Sequence, residues 1–339
     1  MTAPLLEIKD LRVSFFIPAG EVQAVRGISF TLEKGESLAI VGESGCGKSV
    51  TAQSIMRLLQ SPPAKIVGGS ILFQGKDLLK LTESEMEKVR GNEIGMIFQD
   101  PMTSLNPTMK IGKQIAEGVR LHMKVTPEDA KKRVLEMERL VGLPHPERRY
   151  NQYPHEFSGG MRQRTMIAMS LACEPKLVIA DEPTTALDVT IQAQILELMK
   201  DIQKRLHTAI ILITHDLGIV ADLCHRVLVM YAGKIIESGS IEDIFYHPQH
   251  PYTWGLLKSI PQIHSQEKHR LVPIPGQPPD LIKPPAGCAF MPRCKYAMKV
   301  CVEHDPADFQ ITEGHKAACW LLHPAAAAIK EAAEREARA

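Results

Sequence analysis

Residues 5–40 alternate apolar and polar positions in short runs, broken by Pro18-Ala19-Gly20 and Lys34-Gly35-Glu36, which is the pattern of antiparallel strands. The run Ser37-Leu38-Ala39-Ile40-Val41 is apolar enough for a buried strand, and Val50–Leu59 reads as a helix. Gly68–Gly75 predicts a short hairpin element, and Ile94–Gln99 predicts a strand ending in a polar residue. Thr126-Pro127-Glu128-Asp129 supplies a cap, a proline at the first helical position and an acidic third residue. Val134, Leu135, Met137, Leu140 and Val141 then repeat at helical spacing. From residue 176 strands (177–180, 210–213, 226–231) alternate with helices (about 190–206 and 216–224), the sign of a parallel sheet. Ser240-Ile241-Glu242-Asp243 caps a short helix. Residues 261–287 are rich in proline and glycine and read as a linker. The end, 325–339, is rich in Ala, Glu, Lys and Arg; it could form a helix, but it has little apolar face and is expected to fray.

Composition narrows the class. The 339 residues suffice for one large α/β core with a smaller appendage. The net charge of +1 gives no electrostatic footprint for nucleic acid. No apolar run approaches a membrane span, and the N-terminus has no signal-peptide core, so a cytosolic chain is expected unless a membrane partner holds it. Of seven cysteines, Cys46, Cys173 and Cys224 are scattered, whereas Cys288, Cys294, Cys301 and Cys319 crowd together.

Residues 42–49, Gly-Glu-Ser-Gly-Cys-Gly-Lys-Ser, form a complete G-x-x-x-x-G-K-[ST] loop between the apolar strand and the helix. Glycines let successive backbone N–H groups turn toward phosphate oxygens, and the helix N-terminus adds its dipole. Lys48 would reach the β- and γ-phosphates of ATP, and Ser49 would ligate Mg²⁺. The stretch Gly42, Glu43, Ser44, Gly45, Cys46, Gly47, Lys48, Ser49 and Val50 is therefore the expected nucleotide-binding segment. Position 46 needs only a small side chain, so its thiol reads as incidental. Leu177–Ala180 leads into Asp181 and Glu182. The first carboxylate suits Mg²⁺, and the second could orient or deprotonate a water. Ser158-Gly159-Gly160 enters a helix with a hydroxyl and bare N–H groups for an anion.

Together these motifs resemble the ATP-binding-cassette ATPases over roughly residues 5–260. The resemblance implies an α/β P-loop NTPase with a RecA-like core, an antiparallel β subdomain and a helical subdomain at about 100–172. It implies that Phe15 stacks on adenine, that Gln99 serves catalysis and Mg²⁺, and that His215 is the switch histidine. It places Ser158, Gly159, Gly160 and Met161 on the partner's ATP, and Asp188 in the D-loop. Met161 stands where the common signature has Gln. In this family two cassettes sandwich two ATP molecules.

His247-Pro248-Gln249-His250-Pro251-Tyr252-Thr253, together with Gln99–Pro107 and Asp181–Thr190, is similar to oligopeptide and dipeptide permease ATPases, and within them to the D-type subunits. That resemblance implies an importer of di- and oligopeptides, peripheral on the cytoplasmic face of the membrane. Its implied partners are a homologous F-type ATPase subunit, two permease subunits and, through them, an extracytoplasmic peptide-binding protein. A nickel or other solute importer of the same subfamily and a soluble non-transport cassette ATPase are the alternatives. The spacing Cys288-x5-Cys294-x6-Cys301-x17-Cys319 suits Zn²⁺ or an iron–sulfur cluster, with gaps wider than zinc knuckles use. The resemblance implies a [4Fe–4S] cluster held by these four residues. The organisation expected is a cassette at 5–260, a Cys-rich extension at 261–323 and a tail at 324–339.

Overall fold

The computed structural model describes residues 3–185, 187–259 and 273–338. The first part of the expected linker, 260–272, lies outside the described residues, as does Ala186 within the expected D-loop. The chain divides into two compact units.

One unit comprises residues 1–5, 32–37 and 73–213. Its strands Ile94–Ile97, Leu177–Asp181 and Ala209–Thr214 run parallel, with Ile97 opposite Ala180 and Ala180 opposite Leu212. Every residue of the two longer strands is buried, which is why they read as unbroken apolar runs rather than as alternation. Helices Ile111–Met123, Pro127–Leu140 and Gly159–Leu171 pack against one another in the expected helical stretch. Thr126 caps the second through its hydroxyl, which accepts from the Asp129 N–H at 3.2 Å.

The other unit comprises 6–31, 38–72 and 214–339. Leu38–Val41 pairs in parallel with Arg226–Tyr231, which pairs antiparallel with Lys234–Ser240. The C-terminal strand His315–Ala317 adds to Lys234–Ser240, and Phe309–Thr312 adds beyond it, both antiparallel. A second sheet in this unit places Leu6–Ile17 between Gly20–Leu32 and Ala64–Phe73. The predicted element at 68–75 is thus the end of a longer strand, closed by Gln74 and Gly75 at positive φ. The helix after the glycine loop spans Lys48–Ile55 and stops short of Leu59.

The expectation of a frayed end is not met. Ala327–Arg338 is a helix, and its Ala333 is buried in a cluster with Trp254, Cys319 and Leu321. A large apolar face was not needed, because a single small residue fits against the Trp254 ring. Lys295 also pairs with Glu336 near the helix end.

Glu237, on strand Lys234–Ser240, is 1% exposed. Its carboxylate accepts from the N–H groups of Gln249 (2.6 Å) and His250 (3.0 Å) and from the Thr253 hydroxyl (2.6 Å). His315 Nε2 lies 3.0 Å from its other side. A buried carboxylate is tolerable only when its lone pairs are used in this way. Among the described residues no helix is long and apolar enough to cross a membrane.

Glu138 in the helical unit is the counterexample. It is fully buried, and neither carboxyl oxygen has a hydrogen-bond partner among the described residues. Burial, with Glu147 adding to it, pushes its carboxyl up to about 8. An unfolded Glu loses its proton near pH 4.3, so stability falls as pH rises between those values, by up to about 1.4 kcal/mol per pH unit. Glu138→Gln is therefore expected to raise the melting temperature, with a gain that grows from pH 5 to pH 8. A gain independent of pH would show that Glu138 does not titrate in this window.

Candidate functional site

The glycine loop is built by close backbone packing within its unit. Gly42 has φ +152°, and a Cβ there would lie 2.2 Å from the Met230 carbonyl oxygen and 2.8 Å from Cys46 Sγ. Gly47, at φ +103°, would meet the Ala24 carbonyl oxygen at 2.5 Å. These two positions therefore admit no side chain, whereas Gly45 faces open space. Ser44 and Gly45 are exposed, and Ser49 and Val50 are half-buried.

Lys48 is 5% exposed. Its ammonium donates back to the carbonyl oxygens of Gly42 (2.7 Å) and Glu43 (3.0 Å), with Cys46 Sγ at 3.9 Å. The cation is thus held inside the curl of the loop by the loop's own carbonyls. Cys46 is also buried, and burial raises its thiol pKa, which makes it a space-filling residue rather than a nucleophile.

Two residues that sequence reading did not connect with the loop are in contact with it. The Glu43 N–H donates to the Tyr252 hydroxyl at 2.8 Å. The Glu43 carboxylate receives two hydrogen bonds from the Arg293 guanidinium, at 2.6 and 2.9 Å. Tyr252 belongs to the His-Pro-Tyr-Thr segment, and Arg293 precedes Cys294 in the C-terminal extension. Their separation from Glu43 along the chain, 209 and 250 residues, left no local signal that could have revealed the pairing.

The other predicted residues take the following places. Phe15 is half-buried near the end of Leu6–Ile17, and Phe16 beside it is 51% exposed. Asp181, 5% exposed, ends its strand, and Glu182 follows at φ +47°, a left-handed conformation that a Glu enters only at a cost. The Glu182 N–H donates to Ile213 O at 2.9 Å, fixing that backbone to the neighbouring strand. Its carboxylate accepts from Gln99 Nε2 and from the Thr185 hydroxyl, both at 3.0 Å. The structure therefore brings Gln99 and Glu182 together, as well as ordering the loop that follows.

Ser158 caps Gly159–Leu171 by accepting the Met161 N–H at 3.4 Å, and Asp188 caps Val189–Leu206 in the same way from Ile191 at 3.0 Å. The two helix starts lie close, since a Cβ on Gly160 would come within 2.9 Å of Ile191. Met161 is half-buried in this arrangement. His215 is exposed immediately after strand Ala209–Thr214, and Asp216 caps the next helix.

The four clustered cysteines fall in the extension. Cys301 and Cys319 are buried, and Cys288 and Cys294 are half-buried. Burial pushes the Cys288 thiol up to about 11 and raises Cys294 and Cys319 as well. Proximity to the other cysteines adds to the rise at each of these three, and the backbone N–H groups of Phe290, Met291, Tyr296 and Leu321 act against it at the sulfurs. Among the described residues, however, no three Cys, His, Asp or Glu side chains are arranged to hold one metal ion.

Comparison with known proteins settles the family. The ABC transporter family pattern matches residues 25–185, and the oligopeptide/dipeptide transporter C-terminal region matches 236–301. The oligopeptide transport ATP-binding protein OppD of Bacillus subtilis is 62% identical over 96% of this chain and 91% of its own. This chain belongs to the ATP-binding proteins of the ABC transporter family. The dipeptide transport ATP-binding protein DppD of Lactococcus lactis is 56% identical over 95% of this chain and 92% of its own. Among solved structures, the bacterial ABC transporter cassette MJ0796, solved as a dimer, superposes with a TM-score of 0.63 at 25% identity, covering 70% of this chain and 98% of that one. CbiO1 of Clostridium perfringens, part of an ABC transporter complex, gives 0.62 at 30% identity, covering 73% and 92%. The family's P-loop ATPase fold and ATPase activity hold for this chain.

Because Gly42 has no room for a methyl group, Gly42→Ala is expected to weaken ATP binding at least about tenfold. Titration of the purified chain with a fluorescent ATP analogue measures this. Unchanged affinity would mean that the loop can move away from Met230 at little cost.

Proposed function

We propose that this chain is the ATP-hydrolysing subunit of an importer of di- and oligopeptides. The observation that carries the reading is the similarity to peptide-transport ATP-binding proteins along nearly the whole chain, the C-terminal region included. The nucleotide would lie against residues 42–50, with Phe15 on the adenine. Lys48 moves from the loop carbonyls to the β- and γ-phosphates, whose charge replaces the two hydrogen bonds it gives up. Ser49, Gln99 and Asp181 would hold Mg²⁺, which neutralises charge on the phosphates. Glu182 is the general base. Its carboxylate is aimed by two donors, Gln99 and Thr185, and its backbone is fixed in the left-handed region. His215 serves the γ-phosphate side as the switch residue.

Ser158, Gly159, Gly160 and Met161, with Asp188, act on ATP held by a second cassette. An isolated phosphate loop leaves the γ-phosphate open on one side, and a helix N-terminus supplied in trans closes it. The second cassette is a homologous F-type ATPase subunit. Two permease subunits carry the pore, which places this chain at the cytoplasmic face of the membrane, with an extracytoplasmic binding protein delivering peptide. Co-purification of a second, different cassette with the permeases supports this assembly, and a symmetric pair of this chain would overturn it. Uptake of labelled peptide separates the reading from a nickel importer, and purification without any membrane subunit would favour a non-transport ATPase.

Glu182→Gln is expected to keep ATP binding and to lower hydrolysis about 10²- to 10³-fold, since the base is lost while the phosphate-binding groups stay. Turnover at the wild-type rate would remove Glu182 from that role.

Cys288, Cys294, Cys301 and Cys319 are the seat of a [4Fe–4S] cluster, with Zn²⁺ as the alternative. Their donor chemistry fits: four cysteine thiols are the set such a cluster takes, and the backbones of Cys288 and Cys301 are joined by a 2.8 Å hydrogen bond. A cubane gives each thiolate its own iron, so the sulfurs stand further apart than around a single Zn²⁺, where all four lie at about 2.3 Å from one ion. When bound, such a group would cross-link the extension. Anaerobic preparations are expected to contain about four irons per chain. Stoichiometric zinc without iron would replace the cluster by a zinc staple.

A further inference from the structure

The Arg293 side chain is 3% exposed, and all five of its N–H donors are used. Nε donates to Pro275 O at 2.8 Å. One terminal nitrogen donates to a Glu43 oxygen (2.6 Å) and to the Tyr231 hydroxyl (3.3 Å). The other donates to the second Glu43 oxygen (2.9 Å) and to Ile274 O (3.2 Å). The guanidinium also lies over the rings of Tyr231 and Phe290, 5.8 and 5.9 Å from their centroids. Phe290 in turn packs edge-on against Tyr231 and Tyr252. A planar fork so completely saturated can hold its partner in only one orientation.

That partner is a phosphate-loop residue. Glu43 is fixed at every polar group: its N–H on Tyr252, its carbonyl on Lys48, its carboxylate on Arg293. The carboxylate needs such an anchor for a second reason. It belongs to a loop that takes up a polyanion, and an unpaired negative charge there would oppose phosphate binding.

We propose that Arg293 is a positioning residue for the nucleotide site: acting through Glu43, it holds the phosphate loop in its binding shape, so that the cysteine-bearing segment 288–294 sets the affinity for ATP. The inference rests on reading residues 42–49 as the ATP-binding loop. It assigns the C-terminal extension a share in nucleotide binding and makes any loosening of that segment readable as weaker ATP binding.

The test uses the full-length chain, a fluorescent ATP analogue as probe, and four proteins: wild type, Arg293→Met, Glu43→Gln and the double variant. Glu43→Gln and the double variant are expected to bind about tenfold more weakly than wild type, and to the same degree, because either change breaks the same link. Arg293→Met is expected to be weaker still, because it leaves the Glu43 carboxylate unpaired. In the assembled importer the KM for ATP should rise in all three while kcat at saturating ATP stays near wild type, a split that general destabilisation would not give. Arg293→Met leaves the Glu43 carboxylate, and Glu43→Gln the more deeply buried Arg293 cation, without its charged partner, so either single variant could fail to fold; the double variant leaves no such charge and keeps the test open. Wild-type affinity in the double variant would overturn the proposal, as would losses that multiply when the two changes are combined. If wild-type protein bound no nucleotide, or bound it equally well as Lys48→Ala, the ATP reading itself would be the one to fall.

Discussion

A loop that binds phosphate through its backbone depends on side chains elsewhere to keep that backbone in shape. Here the dependence converges on Glu43. Glycine supplies the curvature, as the 2.2 Å approach of a Gly42 Cβ to Met230 O makes plain, but glycine alone gives freedom rather than order. Order comes from Tyr252, Lys48 and Arg293, which together take up each polar group of one residue. Gly233 N–H adds a further bond, to Cys46 O at 3.0 Å, so the far half of the loop is tied to the turn after Tyr231. Most of these partners lie beyond residue 230, in parts of the chain that carry none of the ATPase motifs.

The carboxylate pair at 181 and 182 shows a different solution to a similar problem. Asp181 ends a fully buried parallel strand, so its direction is set by the sheet. Glu182 cannot rely on the sheet, because the chain turns there through a positive φ. Its direction comes from hydrogen bonds, one donated by its own N–H to the Ile213 carbonyl and two accepted by its carboxylate from Gln99 and Thr185. Local strain at this point is offset by neighbours that allow no other arrangement.

Several strands and caps were legible because each has a short-range cause, whereas Lys234–Ser240, Phe309–Thr312 and His315–Ala317 carried no such signal. Leu177–Asp181 is an apolar run, Thr126 and Ser240 are capping residues, and the motif 42–49 carries its own flanking strand and helix. Gln99 and Glu182 were each singled out by their motifs, but their contact was not, since neither residue predicts the other by local pattern. What escaped was long-range and polar. Nothing near Arg293 announces a partner 250 positions earlier, and nothing near Glu237 announces His315. The docking of the terminal helix escaped for another reason: periodicity counts large apolar residues, and Ala333 packs by being small.

Glu237 also bears on where this polypeptide could be divided. The last strand before the His-Pro-Tyr-Thr segment carries a carboxylate that is buried beneath residues from 249–253 and from the strand at 315–317. A shortened chain that ended before residue 315 would leave strand Lys234–Ser240 paired only with Arg226–Tyr231 and open one side of that carboxylate to water. The exposed edge would then offer unpaired backbone groups to any other strand it met. The extension is thus a covering layer for the cassette as well as a neighbour of its phosphate loop, and an excised minimal cassette would be prone to self-association at that edge.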